Sequence, residues 1–239
     1  MADTVLITGG TSGIGLALAK RYLKDGNTVI IVGRNQEKLD QTVAENPGLL
    51  PILADVSLEE DRVRLFETVA RDYPAVNIVI NNAGIQQQVN LMELDWACWK
   101  KEIDTNFDGP IHLSGLFAPF LAGKEHATLV NVSSGLAFRP PVRVPVYGAT
   151  KAGIHSFTYT LREQLKEHGI AVIEIIPPAV NTNLGGPGVH ARAADLDAFA
   201  DSVYADLLAG KEEIGFLYTQ AMAGKTKQEM EAGWGQRRS

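Results

Sequence analysis

Tyr147 and Lys151 stand four residues apart in the stretch VYGATKAG, residues 146–153. If that stretch opens a helix, phenol and ammonium project from one face. A free tyrosine is a weak acid with a pKa of about 10. A fixed positive charge beside it favours the phenolate and brings the group towards use as a proton donor and acceptor. The same spacing also suits a solvated helix face, so the pair leaves both readings open until the surrounding elements are placed.

A second chemistry-bearing stretch lies near the start, where Thr8-Gly9-Gly10-Thr11-Ser12-Gly13-Ile14-Gly15 follows the β-branched apolar run TVLIT and leads into a helical pattern over residues 16–23. A strand, a glycine turn and a helix in that order present backbone N–H groups and the positive end of a helix dipole to an anion. The turn is a candidate pyrophosphate cradle. Its spacing is Gly-x-x-x-Gly-x-Gly rather than the commoner Gly-x-Gly-x-x-Gly, and glycines also serve plain turns. The next apolar run, residues 27–33, ends at Gly33-Arg34-Asn35. An acid at that strand end would take a ribose 2′-hydroxyl, and a cation a 2′-phosphate. The chain has Arg34 and no acid there, which favours NADP over NAD, a solvated surface Arg being the other reading.

These residues need elements to hold them. Short apolar runs alternate with helical patterns along the chain, which predicts one α/β domain, doubly wound, with a mainly parallel seven-stranded sheet of Rossmann type and helices on both faces. Strands are predicted at residues 4–8, 27–33, 50–54, 76–80, 127–132, 170–176 and 214–218. Helices are predicted over residues 35–46, 58–72, 99–121, 147–168 and 194–209, besides the one after the glycine turn. Ser57 and Glu60 read as a capping box for the second of these, and Gly169 as the C-cap of the helix carrying Tyr147. Asp55-Val56, Asn81-Asn82-Ala83-Gly84 and Ser133-Ser134-Gly135 fall at carboxyl ends of strands, where open α/β sheets bind ligands. Asn106 sits within the 99–121 helix, where a polar amide is ordinarily solvated or bonded to backbone. Gln86-Gln87-Gln88 reads as polar loop.

The domain spans residues 1–219, with a substrate loop at about 183–210 and a C-terminal tail at 220–239 that looks partly helical and carries no functional signal. At 239 residues with 45% hydrophobic and 21% charged content, the chain can bury a large core. A net charge of −6 argues against nucleic acid or anionic lipid as partner. Cys98, the single cysteine, offers neither an internal disulfide nor a metal cluster. Together with the lack of a basic leader or a run of 18 apolar residues, this predicts a cytoplasmic protein with no bound metal and no membrane association.

Taken together, the motifs resemble those of the short-chain dehydrogenases/reductases of roughly 250 residues. They are Thr-Gly-x-x-x-Gly-x-Gly at 8–15, Asp55-Val56, Asn81 to Gly84, Asn106, Ser134 and Tyr147-x-x-x-Lys151. Within that family the chain is similar to bacterial oxidoreductases described as DltE-like, over NVSSGLAF at 131–138 and IPPAV at 176–180. The resemblance implies reversible hydride transfer between NADP (NAD being the alternative) and a carbonyl or secondary alcohol of a small molecule. It implies catalytic roles for Asn106, Ser134, Tyr147 and Lys151: Tyr147 as general acid or base, Lys151 as the cation that lowers its pKa, Ser134 as donor to the carbonyl, and Asn106 as holder of a relay water. Ser134 is chosen over Ser133 because the family serine precedes the tyrosine by thirteen residues.

The cofactor contacts it implies are Gly9, Ser12, Gly13, Ile14 and Gly15 at the phosphate turn, Arg34 at the ribose phosphate, and Asp55 and Val56 at adenine. Asn82, Ala83 and Gly84 form the adenosine wall, Tyr147 and Lys151 meet the nicotinamide ribose, and Val180 and Thr182 the carboxamide. The family commonly has Pro-Gly before that valine, whereas this chain has Pro177-Pro178. The resemblance also implies a homodimer or homotetramer. Phe138, Val144, Ala179, Leu184 and His190 are the residues expected to line a substrate pocket, with Arg139 or Arg143 available to an anionic group. A dinucleotide-binding sensor or a structural protein on the same fold is the competing reading.

Overall fold

The computed structural model describes residues 2–222. Its strands are β1 (Thr4–Thr8), β2 (Thr28–Gly33), β3 (Leu49–Leu53), β4 (Ile78–Asn81), β5 (Thr128–Val132), β6 (Ala171–Ile176) and β7 (Glu213–Gly215). They form one parallel sheet in the order β3-β2-β1-β4-β5-β6-β7. Strand order reverses between β1 and β4, and the carboxyl ends there open a crevice. Pro51 is tolerated because β3 is an edge strand, where a missing N–H disturbs no ladder.

The helices are α1 (Gly13–Lys24), α2 (Gln36–Glu45), α3 (Glu59–Asp72), α4 (Trp96–Ile103), α5 (Gly109–Leu121), α6 (Pro145–Leu165) and α7 (Leu196–Leu208). They cover both faces of the sheet because the strands alternate their side chains. Val5 and Ile7 of β1 join Leu18, Tyr22, Leu39, Phe199 and Val203 in a core under α1, α2 and α7. Leu6 points the other way, into Leu65, Val69, Leu113, Phe117 and Leu161 under α3, α5 and α6. Among the described residues no helix is long and apolar enough to cross a membrane.

Three sequence expectations are corrected. The single helix expected over residues 99–121 is two helices of different phase, α4 and α5, joined by a π turn at Asp104–Asp108 in which Gly109 N donates to Asp104 O. The capping box at Ser57 does not form: Leu58 is the N-cap of α3, and the Ser57 hydroxyl donates instead to Asp55 Oδ1 at 2.7 Å. Asp55, two residues away, offers a charged acceptor to both the amide and the hydroxyl of Ser57, and that turn delays the helix start to Leu58. The last strand stops at Gly215, because the chain turns at Leu217–Thr219 with the Thr219 hydroxyl bonded to Phe216 N and Ile176 O. The tail expected to be partly helical is described only through Met222, and residues 223–239 lie outside the described residues. Gly169 does cap the Tyr147 helix, in the left-handed conformation at φ 70°.

Candidate active site

The glycine turn is built by close approach. A Cβ on Gly15 would lie 2.4 Å from Gly9 O and 2.5 Å from Asn82 Nδ2, and one on Gly9 would lie 2.9 Å from Ala83 Cα. Gly9 and Gly13 also have positive φ, of 66° and 53°. Asn82 stitches the turn to the end of β4, its amide donating to Thr8 O at 2.9 Å and Gly9 O at 3.3 Å. The Thr8 hydroxyl accepts from the backbone of both Asn82 and Ala83 at 3.0 Å. Ser12 is the N-cap of α1 yet makes no side-chain capping bond. The first turn of α1 therefore faces the crevice with its dipole uncompensated by protein, a fit for phosphate.

The crevice is a cleft of about 1030 Å³, at the large end of the range for ligand cavities. Its lining brings together Gly9, Ser12, Gly13, Ile14, Arg34, Asp55, Val56, Asn82, Ala83, Gly84, Ser134, Tyr147, Lys151, Val180 and Thr182, all expected from sequence. Two expected residues stand back from it: Gly15 is packed beneath the turn, and Asn106 is fully buried behind the wall. Arg34 is half exposed, with Nη1 4.0 Å from Asp55 Oδ2. Lys38, which sequence reasoning passed over as part of a polar helix, joins this corner. Its place one turn into α2 and on the side of Arg34 was the available signal. Ala179, Leu184 and His190 line the other end, whereas Phe138, Val144, Arg139 and Arg143 are outside the lining. Phe138 instead packs its ring edge to face with His155, and Val144 is buried at the start of α6. Leu136, Pro177, Pro178, Leu196 and Tyr218 were not expected and do line the cleft.

The two serines divide their work. Ser133 is buried and its hydroxyl donates to Ile175 O at 3.3 Å, holding β5 to β6. Ser134 accepts from Leu136 N at 3.1 Å and hydrogen-bonds the Tyr147 phenol. Tyr147 and Lys151 both face inward from the first turns of α6, which opens on Pro145 at its first position. Lys151 Nζ donates to Val132 O at 2.8 Å and lies 5.7 Å from the centre of the Tyr147 ring.

The Tyr147 phenol is displaced upward in this arrangement. Burial pushes the phenol up to about 12, against the downward pull of its hydrogen bond to Ser134, while the charge of Glu102 adds to the rise. Lys151 is itself pushed down to about 8 by burial, against the upward pull of Glu102 and Glu174. Asn106 uses its side chain on the backbone, accepting from Ile85 N at 2.8 Å and donating to Ile85 O at 2.7 Å, with a longer contact to Thr150 Oγ1 at 3.4 Å. It thereby fixes the wall after Gly84, where a Cβ would lie 3.4 Å from Asn106 Oδ1 and 3.7 Å from Lys151 Nζ.

The fold and this cleft define a dinucleotide-type site, and comparison with known proteins gives the family. A family model described as short chain dehydrogenase matches residues 3–192. The chain is 41% identical over 219 residues to oxidoreductase DltE of Bacillus subtilis (strain 168), covering 89% of this chain and 87% of the relative. It is 33% identical over 189 residues to serine 3-dehydrogenase of Agrobacterium fabrum (strain C58), covering 76% and 74% of the two chains. A solved structure of the closed form of serine dehydrogenase complexed with NADP+ superposes with a TM-score of 0.81 at 25% identity, covering 93% of this chain and 98% of that one. The chain belongs to the short-chain dehydrogenase family and is an oxidoreductase of that family.

Proposed function

We propose that this protein is an NADP-preferring dehydrogenase/reductase acting on a carbonyl or secondary alcohol of a small molecule, with Tyr147 as general acid and base. The observation that carries the reading is the convergence of Ser134, Tyr147 and Lys151 at one end of a cleft whose other end is the glycine turn. Gly9, Ser12, Gly13 and Ile14 would hold the pyrophosphate, Arg34 and Lys38 the ribose phosphate, and Val180 and Thr182 the carboxamide. The bound nicotinamide supplies or accepts the hydride. Ser134 orients the substrate oxygen by hydrogen bonding, and the Tyr147 hydroxyl gives that oxygen its proton or takes it back. Lys151 favours phenolate at the moment the proton leaves. The relative that acts on serine and the neighbour complexed with NADP+ support the small polar substrate and the cofactor chosen here.

The test is a panel of carbonyl and alcohol substrates followed by nicotinamide absorbance, run beside Tyr147→Phe. The variant should lose about 1,000-fold or more in kcat with cofactor affinity kept within twofold. Wild-type turnover in Tyr147→Phe would sink the assignment.

A further inference from the structure

Tyr218 reaches the cleft from a turn held in a costly conformation. Leu217, just before it, has a φ of 53°, in the left-handed region that glycine or asparagine ordinarily occupies. The Leu217 side chain is 58% exposed, so its own burial does not offset the strain. The neighbours fix the turn instead. The Thr219 hydroxyl, fully buried, donates to Ile176 O at 2.7 Å and accepts from Phe216 N at 2.8 Å. Phe216 packs ring edge to face on Phe199 of α7. A Cβ on Gly215 would lie 2.4 Å from Thr219 O, so the chain folds back tightly on the end of β7. Strain of this kind persists where the surroundings over-determine it, and it directs attention to whatever the strained segment positions.

What this turn positions is a second phenol beside the one proposed for chemistry. Ser134 hydrogen-bonds Tyr147. The next residue, Gly135, is the one Tyr218 lies against: a Cβ there would be 3.3 Å from Tyr218 Cε2 and 2.8 Å from Thr219 Cγ2. Gly135 N donates to Pro177 O at 2.8 Å, which ties the ends of β5 and β6 together at that point. Cε2 is bonded to the carbon that carries the hydroxyl, so the hydroxyl end of the ring is the end that approaches Gly135. Tyr218 lines the cleft, is half exposed, and its hydroxyl has no hydrogen-bond partner among the described residues. Leu136, Leu184 and Leu196 line the cleft with it. A neutral phenol among leucines suits an uncharged oxygen, because a carboxylate there would be desolvated against apolar side chains.

We infer that Tyr218 is a specificity-determining residue that contacts the substrate, its hydroxyl hydrogen-bonding a second, uncharged oxygen carried on the carbon next to the reacting one. The substrates are then α-hydroxy carbonyl compounds and the matching vicinal diols. The spacing fits, since Ser134 and Gly135 are consecutive and their Cα atoms stand about 3.8 Å apart, the scale of an O–C–C–O unit. The inference rests on the dehydrogenase reading given above and narrows its substrate to a class. The chemical step is unchanged: hydride passes between nicotinamide and the reacting carbon, and a proton between Tyr147 and the oxygen on that carbon. The oxygen held by Tyr218 keeps its bonds and is neither oxidised nor reduced.

Hydroxyacetone and butanone test it, because they match in size and differ by a hydroxyl in place of a methyl. Each is reduced with NADPH by the full chain as wild type, Tyr218→Phe and Tyr147→Phe. Wild type should show kcat/KM about tenfold higher for hydroxyacetone, most of it through KM. Tyr218→Phe should remove that preference by losing hydroxyacetone alone, with butanone kinetics and NADPH affinity kept within about twofold. A titration followed by nuclear magnetic resonance gives a readout without turnover. In the NADP+ complex of Tyr147→Phe, propylene glycol should bind about tenfold tighter than sec-butanol, and adding Tyr218→Phe should abolish the difference.

A preference that survives in Tyr218→Phe would overturn the assignment, as would a wild type that reduces butanone as well as hydroxyacetone. An equal loss on both probes would overturn it too, since that marks a turn that only supports the fold or the cofactor. Wild-type turnover of other panel members but of neither probe would overturn the substrate class and leave the chemistry standing. An active Tyr147→Phe would instead overturn the dehydrogenase chemistry, while the diol titration would still report on Tyr218 by itself.

Discussion

The two ends of the cleft are made differently. At the phosphate end the work is done by backbone and by missing side chains: Gly9, Gly13 and Gly15 leave room, Thr8 and Asn82 tie the turn to the end of β4, and one half-exposed arginine faces outward. At the end proposed for chemistry the cleft is lined by Tyr147 and Lys151, whose ionisation is coupled to the buried Glu102 and Glu174 outside the lining, and all four are less than 9% exposed. Space binds a ligand whose charge is fixed, and it tolerates solvent. Proton transfer needs groups whose charge can change, and burial is what brings their pKa values together.

That contrast can be broken at either end. Gly15→Ala should destabilise the fold by about 3 kcal/mol in denaturant unfolding, because its Cβ would meet Gly9 O at 2.4 Å. It should also weaken NADPH binding more than tenfold, and wild-type stability would mean that the turn yields freely. Glu174→Gln should cost about 2 kcal/mol at pH 6, and less at pH 9. The sign follows from His155, which Glu174 holds above its ordinary pKa by a direct bond. Such a group contributes its stability in full below about pH 6.5 and loses it as pH rises through the raised value. An equal loss at both pH values would show that the imidazolium plays no part. The smallest effect is expected at Arg34→Asp, a change of about tenfold in the ratio of NADPH to NADH dissociation constants. An unchanged ratio would place the specificity on Lys38 and the N-terminus of α2 instead.

The same contrast explains what could be read from the chain. Glycines that nothing else can replace leave a spacing, and so do Tyr147 and Lys151 on adjacent turns, which is why the lining of both ends of the cleft was legible, as the alternating elements made the parallel sheet legible. Glu102 was not. In the run Lys100-Lys101-Glu102-Ile103-Asp104 it reads as one more charge on a solvated face, and only the packing of α4 against α6 shows it to be buried. His155 and Glu174 escaped for a related reason, since their pairing joins a helix to a strand nineteen residues on. The helix break at Asp104–Asp108 is announced by Gly109-Pro110 directly after it, a pair absorbed in the apolar pattern read as one helix, and Ser57 was misassigned because a capping serine and one bonded to a preceding aspartate look alike in sequence.

The extra residue in that π turn sets α4 and α5 about 100° out of phase with a continuous helix. The face carrying Cys98, Glu102 and Asn106 is thereby uncoupled from the face carrying Leu113, Phe117 and Leu121, which belongs to the core. Variation on α4 can reshape the cleft wall without repacking the domain. Straightening the turn with every residue kept would rotate α5 by about 100° against α4 and bring the two stripes onto one face.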